Sequence, residues 1–352
     1  MMNERYWSRK ARQVSPYTPG EQPKIQNLIK LNTNENPYPP SERAKEALRN
    51  ADMDALRLYP DPESAELRAA IAHVHGSAPE QVFVGNGSDE VLALLFMAFF
   101  DVDEPVAMPD ISYSFYPVYA RLCGLQTRTI PLREDFTLSA QDYAGCKGGI
   151  IFANPNAPTG RAISLGDIET ICKNHERVVV VDEAYVNFGA ESALPLIARY
   201  DNLLVVRTLS KSHSLAGLRV GYALGHPALI EALERIKNSF NSYPLDRLAQ
   251  AAAKAAIEDT EYTRQCSEKI MDTRERVVAH LITMGFDVIP SKTNFVFCTH
   301  PKTHARAIQQ QLRERAILVR RFDAPRIDNY LRISMGTDTE MEALIRALEA
   351  IV

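Results

Sequence analysis

The sequence predicts an α/β fold in two lobes, and three observations carry that expectation. Between about residues 82 and 224, short apolar runs alternate with amphipathic stretches, the pattern of a mostly parallel sheet wrapped by helices. Two of those runs, Arg177-Val178-Val179-Val180-Val181 and Leu203-Leu204-Val205-Val206, are continuous rather than alternating, which suits strands covered on both faces. From Asp246 the texture changes to long helical stretches and then to short strands interleaved with helices, as in a smaller α+β lobe. The expected organisation is an arm over 1–37, a large α/β domain over 38–245 and a small α+β domain over 246–352. A chain of 352 residues can bury the core that two such lobes need.

The composition excludes several classes. A net charge of −4 gives no field to gather nucleic acid or an anionic membrane. Five cysteines, Cys123, Cys146, Cys172, Cys266 and Cys298, never form C-x-x-C, which argues for a reducing compartment over a disulfide framework. Met1-Met2-Asn3-Glu4-Arg5 lacks the apolar core of a signal peptide, and the longest apolar run, 91–100, is far short of a membrane span. A soluble cytoplasmic protein is expected.

The first 37 residues read as an extended arm carrying Ser15-Pro16-Tyr17 and Leu31-Asn32-Thr33-Asn34-Glu35-Asn36-Pro37. Helices are expected over 41–50, capped by Ser41, and over 64–75, with Tyr59-Pro60-Asp61 as a turn between them. A strand at 81–84 leads into Gly85-Asn86-Gly87-Ser88-Asp89-Glu90, which opens the apolar helix 91–100. Glycines before a helix N-terminus let backbone N–H groups approach an anion, and the helix dipole favours negative charge there. The dinucleotide fingerprint is excluded by its missing third glycine, which disfavours a nicotinamide dehydrogenase, and no G-x-x-x-x-G-K-[ST] loop occurs. A strand at 105–108 precedes Ser112-Tyr113-Ser114-Phe115-Tyr116 and a helix to 123.

A strand at 149–153 ends in Asn154-Pro155-Asn156-Ala157-Pro158-Thr159-Gly160, followed by a helix over 164–174 that Ser164 and Asp167 cap. The strand 177–181 ends in Asp182-Glu183-Ala184-Tyr185, where a carboxylate is badly placed unless it meets a cation. The strand 203–206 runs into Thr208-Leu209-Ser210-Lys211, with Arg219 in a Gly-spaced turn beyond. Alone, an S-K pair is a solvated loop. Beside hydroxyls and a guanidinium it suits a carbonyl cofactor that carries phosphate: the amine forms an imine while the other groups hold the phosphate. Residues 248–284 are helical, with Arg264, Lys269, Arg274 and Arg276 expected on solvated faces. Strands follow at 286–289, 294–298, 317–322 and 331–334. Arg320 and Arg332 stand in apolar strand context and need an anionic partner, for which an internal Asp or Glu is the plain candidate. The histidine pairs His73-x-His75 and His300-x-x-x-His304 lack zinc-spaced companions, and no metal site is expected.

Thr208-Leu209-Ser210-Lys211, followed by Leu215-Ala216-Gly217-Leu218-Arg219 and Gly221, resembles the lysine segment of the fold-type-I pyridoxal-phosphate aminotransferases, above all their histidinol-phosphate branch. D-E-A-Y and L-N-x-N-E-N-P are similar to motifs of the same family, so the resemblance spans nearly the whole chain. It implies a homodimer with shared active sites and pyridoxal 5'-phosphate as cofactor. Lys211 would form the imine and carry the proton, Asp182 would pair with the pyridine nitrogen, and Tyr185 would bond the phenolic oxygen. Tyr113 would stack on the ring, and Ser88, Asp89, Thr208, Ser210, Arg219 and the neighbouring subunit's Tyr59 would hold the phosphate. Tyr17, Asn36, Arg320 and Arg332 would meet the substrate. The family's N-P-x-N-P-T-G has an asparagine where this chain has Ala157, and Asn156 is the expected substitute donor. The implied reaction exchanges an amino group between histidinol phosphate and 2-oxoglutarate, with glutamate as the other amino compound. Rivals on the same scaffold are a phosphothreonine decarboxylase-like enzyme, an aromatic amino-acid aminotransferase and a non-catalytic binding protein.

Overall fold

The computed structural model describes residues 4–18 and 20–352. Met1, Met2 and Asn3 of the N-terminal stretch, and Pro19 of the arm, lie outside the described residues. The arm is not simply extended: a capped helix α1 (Arg9–Gln13) is followed by a strand β1 (Ile29–Leu31). Helices α2 (Glu42–Arg49) and α3 (Ala65–His75) come next, and Ser41 Oγ accepts the Ala44 N–H at 3.3 Å as the expected cap.

Seven strands and three helices then build the larger layer: β2 (Val82–Asn86), α4 (Gly87–Phe99), β3 (Val106–Pro109), α5 (Tyr116–Cys123), β4 (Thr127–Ile130), β5 (Ile150–Ala153), α6 (Leu165–Lys173), β6 (Val179–Asp182), β7 (Leu203–Thr208) and β8 (Val220–Gly225). They form, with α7 (Pro227–Phe240), a seven-stranded sheet in the order β2-β8-β7-β6-β5-β3-β4. Only β8 runs antiparallel to its neighbours. The β-branched runs behave as expected for a doubly covered sheet. Ile151, Val180, Leu204 and Val206 pack under α4, α5 and α7, while Ile150, Phe152, Val179, Val181 and Val205 pack on the α6 side.

Strict alternation of strand and helix fails at three connections: β4–β5 and β7–β8 carry only the 3₁₀ turns Ala140–Tyr143 and Ala216–Leu218, and β6–β7 likewise has no α-helix. The β6–β7 connection contains only the 3₁₀ turns Val186–Phe188 and Leu194–Ala198. It is held instead by buried Glu183, which accepts from Arg207 Nε at 3.0 Å and Nη2 at 2.8 Å, and from Ser192 Oγ at 2.9 Å.

Two further helices, α8 (Arg247–Glu258) and α9 (Thr260–Thr283), lead to β9 (Asp287–Ile289), β10 (Phe295–Thr299), α10 (Ala305–Glu314), β11 (Ile317–Arg321), β12 (Leu331–Ser334) and α11 (Asp338–Glu349). The second sheet has the order β1-β11-β12-β10-β9, so the arm supplies its edge strand, parallel to β11. Its core joins Leu31 of the arm to Val296, Val319, Ile333 and apolar faces of α9, α10 and α11. Arg274 corrects the expectation of a solvated face. It is 4% exposed, and its Nη1 donates to Phe188 O at 2.9 Å and Thr293 O at 2.8 Å. Two loop carbonyls buried between the sheets need donors, and a long guanidinium reaches both. Among the described residues no helix is long and apolar enough to cross a membrane.

Candidate active site

The carboxyl ends of β5, β6 and β7 and the N-terminus of α4 open onto one cleft, where an α/β sheet places its ligands. An inner cavity of about 170 Å³ is lined by Ser88, Asp89, Tyr113, Asp182, Tyr185, Thr208, Ser210, Lys211 and Arg219. It continues into an outer cavity of about 410 Å³ bounded by Tyr17, Asn32, Arg320, Phe322 and Arg332. Residues up to 315 positions apart in sequence thus share one space because both sheets and the arm border it.

Close backbone approach builds one end of the inner cavity. Gly87 has φ 79°, and a Cβ there would sit 2.5 Å from Arg219 Nη2; one on Gly221 would sit 2.2 Å from the Ser88 nitrogen. Glycine at both positions lets the first turn of α4 lie against β8 and Arg219, leaving the N–H groups of Ser88 and Asp89 at a positive helix end. Thr208 Oγ1 and Ser210 Oγ are 3.0 Å apart, and Arg219 Nη1 lies 3.4 Å from Ser210 Oγ. Asp89 departs from the expected role of its side chain: its carboxylate accepts from Arg219 Nη2 and from Tyr113 Oη, each at 2.8 Å. A carboxylate repels an anion, so what Asp89 can offer a phosphate is its backbone N–H and the placement of Arg219.

Asp182 is 4% exposed. It accepts from Tyr116 Oη at 2.8 Å and from the Ala184 N–H at 3.2 Å. Burial pushes its carboxyl up to about 6, against the pull of those two hydrogen bonds. No basic side chain pairs with it among the described residues. Lys211 Nζ donates to Thr33 O at 3.3 Å and lies 5.8 Å from the Tyr185 ring centroid. Tyr185 Oη accepts from Asn34 Nδ2 at 2.9 Å.

In the outer cavity, Arg320 and Arg332 face each other in register on β11 and β12. Neither has a carboxylate partner among the described residues. Arg332 Nη2 donates to Asn32 O at 3.0 Å and its guanidinium lies over Phe295 and Phe322, while Arg320 Nη2 reaches Thr18 O at 3.4 Å. Burial pulls the Arg332 guanidinium below its ordinary value, the mark of a charge short of compensation. The internal carboxylate allowed for at these positions is therefore not what answers them. Tyr17 stacks on Phe115 at 4.5 Å on the same rim.

The chain is matched over residues 26–348 by the family model described as aminotransferase class I and II. The chain belongs to that family. It is 58% identical over 352 residues to histidinol-phosphate aminotransferase 2 of Dechloromonas aromatica (strain RCB), with 99% of each chain covered. It is 59% identical over 351 residues to histidinol-phosphate aminotransferase 1 of Bordetella parapertussis, again with 99% of each covered. Among solved structures it resembles the histidinol-phosphate aminotransferase of Sinorhizobium meliloti in complex with pyridoxal-5'-phosphate, with TM-score 0.85, 27% identity, and 92% and 90% of the two chains covered.

Three expected site residues of this aminotransferase do not line the cleft. Asn156 is committed elsewhere: its Nδ2 donates to Ile111 O at 2.9 Å and Thr159 Oγ1 at 3.0 Å, and its Oδ1 accepts from Ser112 Oγ at 2.8 Å. Ala157, its neighbour, is the residue that faces the cavity. Asn36 Nδ2 donates to Lys211 O at 3.1 Å and Ser212 O at 3.3 Å, so it braces the lysine loop from behind. Tyr59 lies outside the cleft, 79% exposed and stacked on Tyr243 at 4.7 Å.

The sequence analysis missed Tyr116, Thr33 and Asn34. Tyr116 follows Tyr113 by three residues in the same aromatic run, which was its only local signal. A separate cavity of about 300 Å³ lies behind the lysine loop, lined by His75, His213, Tyr222 and Arg207. Burial pushes the two histidines down to about 3 and about 4, Glu183 pairs Arg207, and Arg264 at the rim is paired with Glu261 and Glu268, so the charges lining that space are answered within the chain.

Proposed function

We propose that this enzyme transfers an amino group between histidinol phosphate and 2-oxoglutarate with pyridoxal 5'-phosphate as cofactor, acting as a cytoplasmic homodimer in histidine biosynthesis. The single observation that carries the reading is the cleft itself. One lysine, one buried carboxylate without a basic partner and a glycine-walled anion cup share its floor, and two unpaired arginines share its roof.

The donor set fits the cofactor. Ser88 and Asp89 N–H groups, the Thr208 and Ser210 hydroxyls and Arg219 suit a phosphate dianion. The Asp182 carboxylate, raised by burial, suits a protonated ring nitrogen, whose charge would offset the desolvation that it bears alone. Tyr113 presents an aromatic face beside the cup. When bound, the cofactor supplies an electron sink for the carbanion formed at the substrate's Cα.

The chain's own groups do the rest. Lys211 Nζ carries the proton from one carbon to the next, a general acid–base role that its place on the cavity floor allows. Tyr116, by donating to Asp182, keeps that carboxylate oriented and anionic. Arg332 clamps the substrate's anionic end, with Arg320 opposite. Glutamate brings a carboxylate there and histidinol phosphate a phosphate, and the guanidinium fork accepts either. Burying these groups between arm and sheets excludes water from the proton transfers.

Tyr59 reads as the residue given to a neighbouring subunit, since an exposed tyrosine stacked on a second one is a ready contact surface. Met53, Leu56, Leu58 and Phe240 are exposed nearby in sequence on the same segments.

Turnover of a panel of amino donors with 2-oxoglutarate tests the substrate. Histidinol phosphate should exceed aromatic amino acids by at least about tenfold in kcat/KM; equal or reversed rates would favour the aromatic aminotransferase, and carbon dioxide release from phosphothreonine the decarboxylase. The shared site is tested by exchanging subunits between Lys211→Ala and Tyr59→Phe proteins. A heterodimer would carry one site with both lesions and one with neither, so activity should rise above the sum of the parents. No rise despite confirmed exchange would place Tyr59 in its own subunit's site.

A further inference from the structure

The wall of the inner cavity around Tyr185 is made of Ala153, Ala157 and Ala184, and Asn156 is turned away from it. On that wall only the Tyr185 hydroxyl can donate a hydrogen bond from a side chain. The direction of its one proton is set by Asn34.

Asn34 is 1% exposed, with φ 58°, a left-handed conformation that asparagine tolerates better than most residues. Its N–H donates to Ser334 Oγ at 2.9 Å, and Ser334 Oγ donates its own proton to Asn34 Oδ1, also at 2.9 Å. Asn294 Nδ2 holds the Asn34 carbonyl at 3.0 Å. This closed set fixes the amide: turned over, its NH₂ would crowd Ser334 Oγ, which already accepts the backbone N–H, and the serine proton would lose its acceptor. The NH₂ therefore points at Tyr185 Oη, 2.9 Å away. A phenol oxygen that accepts from Asn34 has its O–H left to give, and among the described residues no acceptor takes it.

We propose that Asn34 is a positioning residue for Tyr185: by filling the acceptor side of the phenol oxygen it aims the hydroxyl proton into the cavity, at an anionic ring oxygen of the bound cofactor. The proposal rests on the cofactor reading above and adds a residue to it. It also ties the donor to the arm's seating on β12 and the start of β10, because Ser334 and Asn294 hold Asn34 in place.

Asn34→Asp is the decisive variant. The new side chain is nearly isosteric and tolerates the same φ, but a carboxylate only accepts, so the Tyr185 proton turns toward it and away from the cavity. A cofactor oxygen that has lost its donor holds a neighbouring proton more tightly. In cofactor-loaded protein, the midpoint pH of the visible absorbance titration should rise by about one unit or more, the size of a hydrogen bond to a charged group. Tyr185→Phe should shift the midpoint in the same direction, and Asn34→Asp should shift it clearly less in the Tyr185→Phe background, where only the charge of the new carboxylate remains to act. A shift as large in the Tyr185→Phe background as with Tyr185 present would mean that the charge acts alone, and that result would overturn the proposal. So would a midpoint unmoved in the single variant. Should Asn34→Asp fail to fold, Asn34→Gly, which keeps the backbone conformation and frees the tyrosine proton, must raise the midpoint only where Tyr185 is present. A wild-type protein with no titrating visible band would sink the cofactor reading itself; a titrating wild type beside an unresponsive variant sinks this proposal alone.

Discussion

Two pairs of arginines, one on each sheet, live under opposite rules. On the large sheet, Arg207 is paired with buried Glu183 and Arg219 with Asp89, each at 2.8 Å. On the small sheet, Arg320 and Arg332 face each other across β11 and β12, with only arm carbonyls and the rings of Phe295 and Phe322 for company. Like charges opposed in register destabilise a sheet, and a half-buried guanidinium without an anion is costly. Both arginines of the large sheet are thus answered within the chain, and Asp182 is the charge that the floor of the cleft leaves without a basic partner among the described residues. The roof is left open, which is what the proposed binding of a carboxylate in one half-reaction and a phosphate in the other would require. On the proposed reading, fixed chemistry and exchangeable recognition are separated onto different sheets.

The sharpest way to break that division is at the floor. Lys211 is the only lysine lining either cavity, and Lys211→Ala should abolish transamination while the protein stays folded and keeps its phosphate cup. Borohydride reduction and peptide mapping of the wild type should label Lys211; a label on another lysine would contradict the assignment.

Asp182→Asn comes next. Removing one partner of a buried charge pair costs about 3–5 kcal/mol, which is roughly two to four orders of magnitude in rate, whereas cofactor content should stay near full. The same variant should act in the reverse sense on stability once the cofactor is stripped. The folded Asp182 carboxyl lies near 6, above its ordinary 3.8. Its burial therefore costs nothing below about pH 4, costs more as pH rises from about 4 to 6, where only the unfolded carboxyl ionises, and levels off above that. Cofactor-free Asp182→Asn should gain up to about 3 kcal/mol over wild type at pH 7 and almost nothing at pH 4, read from denaturant midpoints. A difference independent of pH would contradict the burial argument.

At the roof, Arg320→Ala should slow chiefly one half-reaction, by roughly tenfold, since one charged hydrogen bond is lost from a site that keeps Arg332. Equal damage to both would erase the distinction between the two arginines.

Much of the floor was legible because its signals are local. Continuous β-branched runs mark β6 and β7, and the residues just past their ends, Asp182 and Lys211, inherit the position from the strands. The residues that support them were not legible, because their partners are remote. Tyr116 meets Asp182 from 66 residues away, and Asn34 meets Tyr185 from 151. Asn156 was misjudged for a geometric reason: the residue next to a cavity-facing position points elsewhere, and here it is tied to Ile111 and Thr159. Arg274 reads as polar-faced on a helix, yet loop carbonyls from two distant segments claim it. The roof arginines were visible as charges in apolar strands, but only register shows them opposed.

The separation of floor from roof stands or falls on Arg332. Its measurement is the single-turnover rate of each half-reaction, with glutamate and with histidinol phosphate, in Arg332→Lys protein loaded with cofactor. An ammonium cannot reproduce the bidentate fork, so both half-reactions should slow or lose affinity by about ten- to a hundredfold, with the cofactor spectrum unchanged. If either half-reaction proceeds at the wild-type rate and affinity, Arg332 is not the shared anchor, and the account of the roof is wrong.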